Sequence, residues 1–221
     1  MNKMAMRTKT KGNLFVISAP SGAGKSTVCQ RVLREMEGIA FSISHTTRSP
    51  RKGEVNGKDY YFISTEEFQH MIQANAFIEW AQVHGNLYGT SYAAVEGLLT
   101  EGMDVILDVD VQGKQNISRI FPDATSIFIL PPSLEVLEQR LRNRATDDES
   151  TIAMRLKNAI TEIQQAITYD FIIINNELEV AVEDLKAVIR SKRCATRRVL
   201  SNIPVILQQV ATNGRLNETR T

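Results

Sequence analysis

Short apolar runs rich in Val and Ile alternate along the chain with longer segments whose apolar positions recur at helical spacing. The first run, Leu14 to Ser18, lies between Gly12 and Pro20 and predicts a buried strand. A Gly-rich turn follows, then a helix from about Lys25 to Met36 that Gly38 ends. Further buried strands are expected over Phe41 to Ser44, Val105 to Asp110, Ser126 to Leu130 and Phe171 to Ile174. Helices are expected from Ser91 to about Thr100, from Ser133 to about Arg144, after the charged break Thr146 to Glu149 as far as about Tyr169, and from Glu177 to Arg193. Short apolar strands alternating with helices imply an α/β fold, a mostly parallel sheet covered by helices on both faces.

The stretch from about 45 to 92 departs from that pattern. Thr46 to Gly57 is polar and broken and reads as a loop. Tyr60 to Ser64 predicts a strand, and Ser64 with Glu67 predicts a capping box opening a helix to about Asn75. Phe77 to Trp80 and Ala81 to His84 read as strands, with turns at Gly85-Asn86 and at Gly89. A locally β-rich block inside an alternating pattern is expected to be an inserted subdomain. At the other end, the apolar Ile203 to Leu207 within Asn202 to Thr221 either closes the core or contacts a second subunit, so a homo-oligomer stays open.

Charge and cysteine usage narrow the function classes. Lys and Arg number 26 against 25 Asp and Glu, which argues against a protein held by general attraction to nucleic acid or anionic membrane. The two cysteines, Cys29 and Cys194, form neither a metal-ligand spacing nor a disulfide framework, as suits a reducing cytoplasm. No apolar run approaches the roughly 18 residues of a membrane span. The basic start, Lys3, Arg7, Lys9 and Lys11, precedes an apolar stretch too short for a signal peptide and reads as a solvated tail.

Ala19-Pro20-Ser21-Gly22-Ala23-Gly24-Lys25-Ser26 fits the phosphate-loop pattern, with Ala in place of the usual first Gly. Gly22 and Gly24 let the backbone wrap round phosphate oxygens, and the helix that follows aims its first N–H groups at the anion. Lys25 supplies a cation for the β- and γ-phosphates and Ser26 a hydroxyl for Mg²⁺. A plain strand–turn–helix corner is the alternative. The preceding strand and following helix favour the phosphate loop.

Asp108 and Asp110 alternate, so a regular strand would point both to one face. At the C-terminal end of a parallel strand, Asp108 is placed to hold Mg²⁺ through water or to orient a neighbour; strand-end acids meeting arginines are the alternative. Arg48 and Arg51 offer fork-shaped cations for a phosphate, and Tyr60 and Tyr88 offer hydroxyls. Glu79 sits in an apolar run, Ala76 to Trp80, where a carboxylate needs a partner. Guanine, with adjacent N1–H and N2 donors, would supply one; a structural salt bridge would serve equally.

Taken together, Ser18 to Thr27, Ser44-His45-Thr46-Thr47-Arg48-Ser49-Pro50-Arg51-Lys52-Gly53-Glu54, Asn86 to Thr90, Leu107 to Gly113 and Phe128 to Ser133 resemble guanylate kinase motifs. The similarity runs from about Asn13 to about Arg193, and the Thr-Thr-Arg-x-Pro-Arg-x-Gly-Glu segment is the most specific part. The resemblance implies a P-loop core over 13–44, 93–134 and 166–221 after a basic tail over 1–12. It implies a GMP-binding subdomain over 45–92 and a lid region over 135–165. It implies ATP bound on Ala19 to Thr27 with Mg²⁺, and Asn175 near the ATP base. Arg48, Arg51, Tyr60 and Tyr88 would hold the GMP phosphate. Ser44, Glu79 and Thr90 would read guanine, supported by Asp108 and Asp110. Arg140 and Arg144 would be lid arginines, with Arg155 a further one; by spacing alone Arg140 and Arg144 share a helix face that a solvated basic surface would also explain. Ala145, Asn176 and Leu87 depart from the residues frequent in the family.

The implied activity is transfer of the γ-phosphate of ATP to GMP, and to dGMP, in purine nucleotide metabolism. Two other classes carry the same motifs in part. A guanylate-kinase-like interaction module typically has a degraded phosphate loop, whereas Lys25 and Ser26 are present. A P-loop kinase for another phosphorylated acceptor would not call for Glu79 with Ser44 and Thr90.

Overall fold

The computed structural model describes residues 10–83, 85–143 and 148–196. Its elements are β1 Leu14–Ser18, α1 Lys25–Glu35, β2 Ile39–Phe41, β3 His45–Thr46, β4 Tyr61–Phe62, α2 Thr65–Gln73, β5 Phe77–Val83, β6 Asn86–Ser91, α3 Tyr92–Thr100 and β7 Asp104–Asp108. There follow α4 Val111–Ile120, β8 Thr125–Leu130, α5 Leu134–Arg142, α6 Glu149–Gln164, a 3-10 turn Ala166–Thr168, β9 Phe171–Ile174 and α7 Leu178–Arg193.

Five strands form one sheet in the order β2-β7-β1-β8-β9, every adjacent pair parallel. β1 lies at its centre with all five residues buried. Alternate side chains go to opposite faces of a strand. Phe15 and Ile17 pack with Ile106, Ile127, Ile129 and Ile173 against Val28 and Val32 of α1 and Leu185 and Ile189 of α7. Leu14 and Val16 pack with Val105 and Leu107 against Val95 and Leu99 of α3 and Ile117 of α4. Burial on both faces explains why β1, β7 and β8 read as continuous apolar runs.

Below the sheet, the fully buried Asp104 accepts from Asn13 N at 2.7 Å, Asn13 Nδ2 at 2.9 Å and Arg193 Nε at 2.6 Å. Arg193 Nη2 also donates to the Glu37 carbonyl at 2.8 Å, so the end of α7 is tied to the start of β2 and β7. A buried carboxylate is tolerated only when paired and hydrogen-bonded in this way.

The second sheet has the order β4-β3-β6-β5, with β3–β6 and β5–β6 antiparallel. Here several sequence expectations need correction. Gly89 is no turn; it lies inside β6, and a Cβ there would meet the Phe77 ring at 2.8 Å and Phe68 at 3.0 Å. Those two rings stack at 4.4 Å, and glycine leaves room for them. The two short strands read between Phe77 and His84 are one, β5, with an irregularity between Phe77 and Glu79; His84 lies outside the described residues. The strand expected over Phe41 to Ser44 is Ile39–Phe41, after which only Ser42 N still bonds towards β7, through the Ile106 carbonyl at 3.0 Å. The expected strand Val105 to Asp110 stops at Asp108, and the unanticipated helix α4 follows. The helix expected as far as Tyr169 ends at Gln164 and gives way to the 3-10 turn.

Phe15 is 0% exposed at the centre of the larger core. Phe15→Ala is expected to cost about 3–5 kcal/mol through lost burial and a residual cavity. Val55→Ala, at a residue 53% exposed, should stay within about 0.5 kcal/mol. Urea unfolding of the two variants beside the parent measures both, and equal losses would contradict this description of the core.

Candidate active site

The C-terminal ends of the parallel strands converge on one side of the sheet, where open α/β sheets hold their ligands. β1 runs straight into the loop Ala19 to Thr27. Gly22 and Gly24 both have φ of 92°, a left-handed conformation that side chains with a Cβ rarely adopt. Gly24 is the N-cap of α1 and offers no side-chain cap, so the first N–H groups of the helix face the loop interior. Ala19 has no such φ among the described residues and packs against the core, which explains why Ala serves at that position.

The loop is braced from outside. A Cβ on Gly22 would meet Leu137 Cδ1 and Leu141 Cδ2 of α5 at 3.0 Å, and one on Gly24 would lie 2.3 Å from Asn175 Nδ2. Asn175 is buried after β9 and donates through Nδ2 to the Ala23 carbonyl at 2.7 Å. Arg140 of α5 donates to the same carbonyl at 3.3 Å and to the Asn175 carbonyl at 3.0 Å. Arg140 and Asn175 therefore meet on the loop backbone itself.

Lys25 pairs with Asp108 at the end of β7, both side chains partly accessible. Ser26 and Thr27 are exposed on the first turn of α1. Cys29, buried beneath, has its thiol pushed up to about 12 by burial and then by Asp108, and stays protonated as an apolar filler. Asp110 does not share a strand face with Asp108, because β7 has ended; its carboxylate caps α4 by accepting from Gly113 N at 2.7 Å. Arg155 is partly buried on α6, whose Ile152 packs on Leu137 and Leu141. Arg144 lies outside the described residues.

The second sheet gathers the remaining groups. Glu79 and Thr90 face each other across β5 and β6. Thr90 Oγ1 donates to Glu79 Oε1 at 3.4 Å and lies 3.2 Å from Ser44 Oγ. The Glu79 carboxyl is raised to about 7, first by burial and then by the negative charge of Asp110; the Thr90 hydrogen bond opposes the rise, Asp108 adds to it, and Lys25 weakly opposes it.

Arg48 is held twice. Its guanidinium donates from Nη1 to Glu54 Oε2 at 3.0 Å and from Nη2 to Glu54 Oε1 at 2.8 Å. It also lies over the Tyr60 ring at 5.4 Å and the Phe62 ring at 5.7 Å. Tyr60 and Tyr88 pack edge to face at 6.0 Å, and Tyr88 interacts with the same guanidinium. Arg51 is exposed beside this group, its backbone N–H bonded to Glu54.

Three residues escape sequence reasoning. Gly113 is one: a Cβ there would lie 2.5 Å from Glu79 Oε2, so glycine lets the first turn of α4 approach the carboxylate. Its place at the end of the Leu107 to Gly113 motif was the available signal. Glu54 is the second, visible only as the last residue of a motif. Glu162, near the end of α6, is the third; burial raises its carboxyl, the charge of Lys25 opposes and that of Asp110 adds. No local pattern marks Glu162.

A parallel sheet whose central strand feeds a glycine-bent phosphate loop, with the loop lysine paired to an aspartate on the next strand, defines a P-loop nucleotide-binding α/β protein. The second sheet adds an acid and an arginine–tyrosine cluster suited to a second, smaller anionic ligand. The family model for guanylate kinase matches residues 11–192. The chain is 50% identical to a guanylate kinase of Shewanella sp. (strain MR-7) over 184 residues, 83% of this chain and 89% of that one. It is 52% identical to a guanylate kinase of Polaromonas sp. over 182 residues, 82% and 88% of the two chains. The crystal structure of guanylate kinase from Anaplasma phagocytophilum superposes with a TM-score of 0.66 at 36% identity, covering 87% of this chain and 92% of that one. The chain belongs to the guanylate kinase family. Among the described residues, no helix is long and apolar enough to cross a membrane.

The raised Glu79 carboxyl has a consequence for stability. Its folded value, about 7, lies above the ordinary 4.5, so the folded state holds more protons between these values and stability falls as pH rises through them. Glu79→Gln removes that loss. The variant is expected to melt above the parent at pH 8, with the difference shrinking towards pH 4.5. A parent-to-variant difference in melting temperature that does not change across this window would show that Glu79 is not raised.

Proposed function

We propose that this chain transfers the γ-phosphate of ATP to GMP, giving ADP and GDP, with ATP on the loop and GMP on the second sheet. The observation that carries the reading is the half-buried Glu79 carboxylate, bonded to Thr90 and placed beside Ser44. A carboxylate held in an apolar strand is matched by the adjacent N1–H and N2 donors of guanine. Adenine presents an acceptor at N1 and would leave it unpaired, the kind of mismatch that gives about 10⁴-fold discrimination. Ser44 and Thr90 complete the base site, with Asp108 and Asp110 behind it, and Arg48, Arg51, Tyr60 and Tyr88 take the GMP phosphate.

On the donor side, Ala19 to Thr27 cradle the ATP phosphates and Lys25 neutralises charge between donor and acceptor. Asn175 and Arg140 hold the loop backbone in shape, and Arg140, Arg144 and Arg155 supply cations from the lid. The exposed Ser26 hydroxyl and the Asp108 carboxylate beside Lys25 are hard oxygen groups suited to Mg²⁺, which they would hold partly through water. When bound with ATP, that ion supplies charge neutralisation at the phosphates. No protein base is required, because a phosphate monoester with a second pKa of about 6 is already an anionic nucleophile at neutral pH. Catalysis is then alignment and electrostatic stabilisation.

The corresponding division is a core over 13–44, 93–134 and 166–196, a GMP-binding subdomain over 45–92 and a lid over 135–165; the rest of the expected core, 197–221, lies outside the described residues. None of the assigned contacts uses the ribose 2′-hydroxyl, so dGMP is expected to serve as well. The enzyme acts on free nucleotides in the cytoplasm, with neither nucleic acid nor membrane as partner.

ADP formation from ATP and Mg²⁺ with GMP, dGMP, AMP, UMP or a sugar phosphate tests this reading. Strong turnover is expected with GMP, and little with AMP, UMP or the sugar phosphate. Turnover led by another acceptor would overturn the guanine assignment. Lys25→Ala is expected to lower kcat by about 10³-fold, as removal of a preorganised charge at the reacting phosphates does, while GMP binding measured by calorimetry stays near the parent value. Near-parent kcat would remove Lys25 from the chemistry.

A further inference from the structure

The acceptor-phosphate clamp contains a carboxylate where a phosphate site would be expected to hold cations alone. Glu54 spans the turn Arg51–Glu54, whose Glu54 N–H bonds to the Arg51 carbonyl at 3.0 Å. One carboxylate then binds both arginines of the clamp. Its oxygens accept from Arg48 Nη1 at 3.0 Å and Nη2 at 2.8 Å, and Oε2 also accepts from the Arg51 backbone N–H at 2.7 Å. The second Nη1 hydrogen of Arg48 goes to the Ser49 carbonyl at 2.7 Å. The ion pair is largely screened from solvent, with side-chain exposures of 14% for Arg48 and 20% for Glu54.

A guanidinium has five N–H donors in a rigid plane. Glu54 and Ser49 use both hydrogens of Nη1 and one of Nη2. Neither Glu54 nor Ser49 uses the Nε–H and the second Nη2–H, which lie parallel along one edge, the spacing that a phosphate accepts bidentately; the Tyr88 hydroxyl also hydrogen-bonds this guanidinium. The Tyr60 and Phe62 rings fix the tilt of the same plane. We propose that Glu54 is a positioning residue for the acceptor: it holds the tip of Arg48 and the backbone of Arg51 so that the side edge of Arg48 meets the phosphate of GMP. This rests on the assignment of the second sheet to GMP.

The proposal opposes simple electrostatics, and that makes it sharp. Glu54 cancels the charge of Arg48, so on charge alone its loss should strengthen binding of an anionic phosphate. If positioning dominates, its loss weakens binding, because a long side chain must then be ordered by the substrate itself. Glu54→Gln, which keeps shape and loses charge, and Glu54→Ala are the variants. Full-length enzyme is assayed with GMP varied at saturating ATP, and with ATP varied at saturating GMP. KM for GMP is expected to rise about 3–10-fold, the cost of ordering one long side chain on binding, with kcat and KM for ATP within about threefold.

Guanosine, which lacks the phosphate, separates positioning from general support of the subdomain. Its inhibition constant against GMP should be unchanged in both variants. Loss of guanosine and GMP affinity together would mean that Glu54 merely supports the fold, and overturns the proposal. A KM for GMP equal to or below the parent in Glu54→Gln also overturns it, in favour of charge alone. Parent enzyme without GMP-dependent turnover would instead fail the acceptor assignment, a result visible before any variant is made.

Discussion

Everything at this site hangs on a strand that has nowhere to go. β1 is buried on both faces and hydrogen-bonded on both edges, to β7 and to β8. The chain leaves it into two left-handed glycines within three residues, and α1 begins at once. A loop so short, anchored at one end by a central strand and at the other by a helix packed on the same core, has little freedom to rearrange. Its N–H groups are therefore aimed before any ligand arrives, which is what preorganised electrostatic stabilisation requires. Bracing by Asn175, Arg140 and the leucines of α5 extends the same logic outward. The helix that carries Arg140 is packed against the loop that Arg140 bonds.

How much of this was legible in the sequence depended on whether the signal was local. β1, β7 and β8 announced themselves because burial on both faces leaves apolar runs; β1 and β9 match their expected limits residue for residue, although the edge strand β9 exposes Ile172 and Ile174. The capping serines Ser64, Ser91 and Ser133 were equally clear, since an N-cap bond closes within three residues. Gly89 misled because glycine marks turns by default, whereas here it makes room for Phe68 and Phe77, one of them on a helix well before it in sequence. Asp110 misled for a related reason. Alternation with Asp108 implied a continuing strand, yet an aspartate followed by apolar positions at helical spacing was an N-cap signal of equal strength, and the cap won. Among site residues, those inside motifs could be named, but the part Gly113 plays shows only once α4 is packed beside Glu79.

The two sheets also divide the electrostatic work. Lys25 and Asp108 belong to the core, Arg48 and Glu54 to the second sheet, and each cation has its own carboxylate partner. Such pairing keeps partly desolvated charges tolerable in the absence of ligand. It also means that an anionic ligand would meet cations that are already oriented. Pairing of this kind favours geometry over raw attraction, since a paired arginine attracts an anion less strongly but holds it in one pose.

On the proposed assignment of Glu79 to guanine, recognition by a carboxylate carries a cost. Burial makes the unmet acceptor expensive and so makes the matching base selective, but the same burial, with Asp110 nearby, favours protonation. A protonated carboxyl presents one donor and one acceptor, a pattern that no longer matches two adjacent guanine donors. Thr90 and Lys25 act in the opposite sense, the first by donating to Oε1 and the second through its charge. Guanine itself, by donating twice, would pull the carboxyl further towards its ionised form. The base site is therefore completed by its ligand: strand β5 places the acid, its neighbours bring it close to the edge of ionisation, and the correct base carries it the rest of the way.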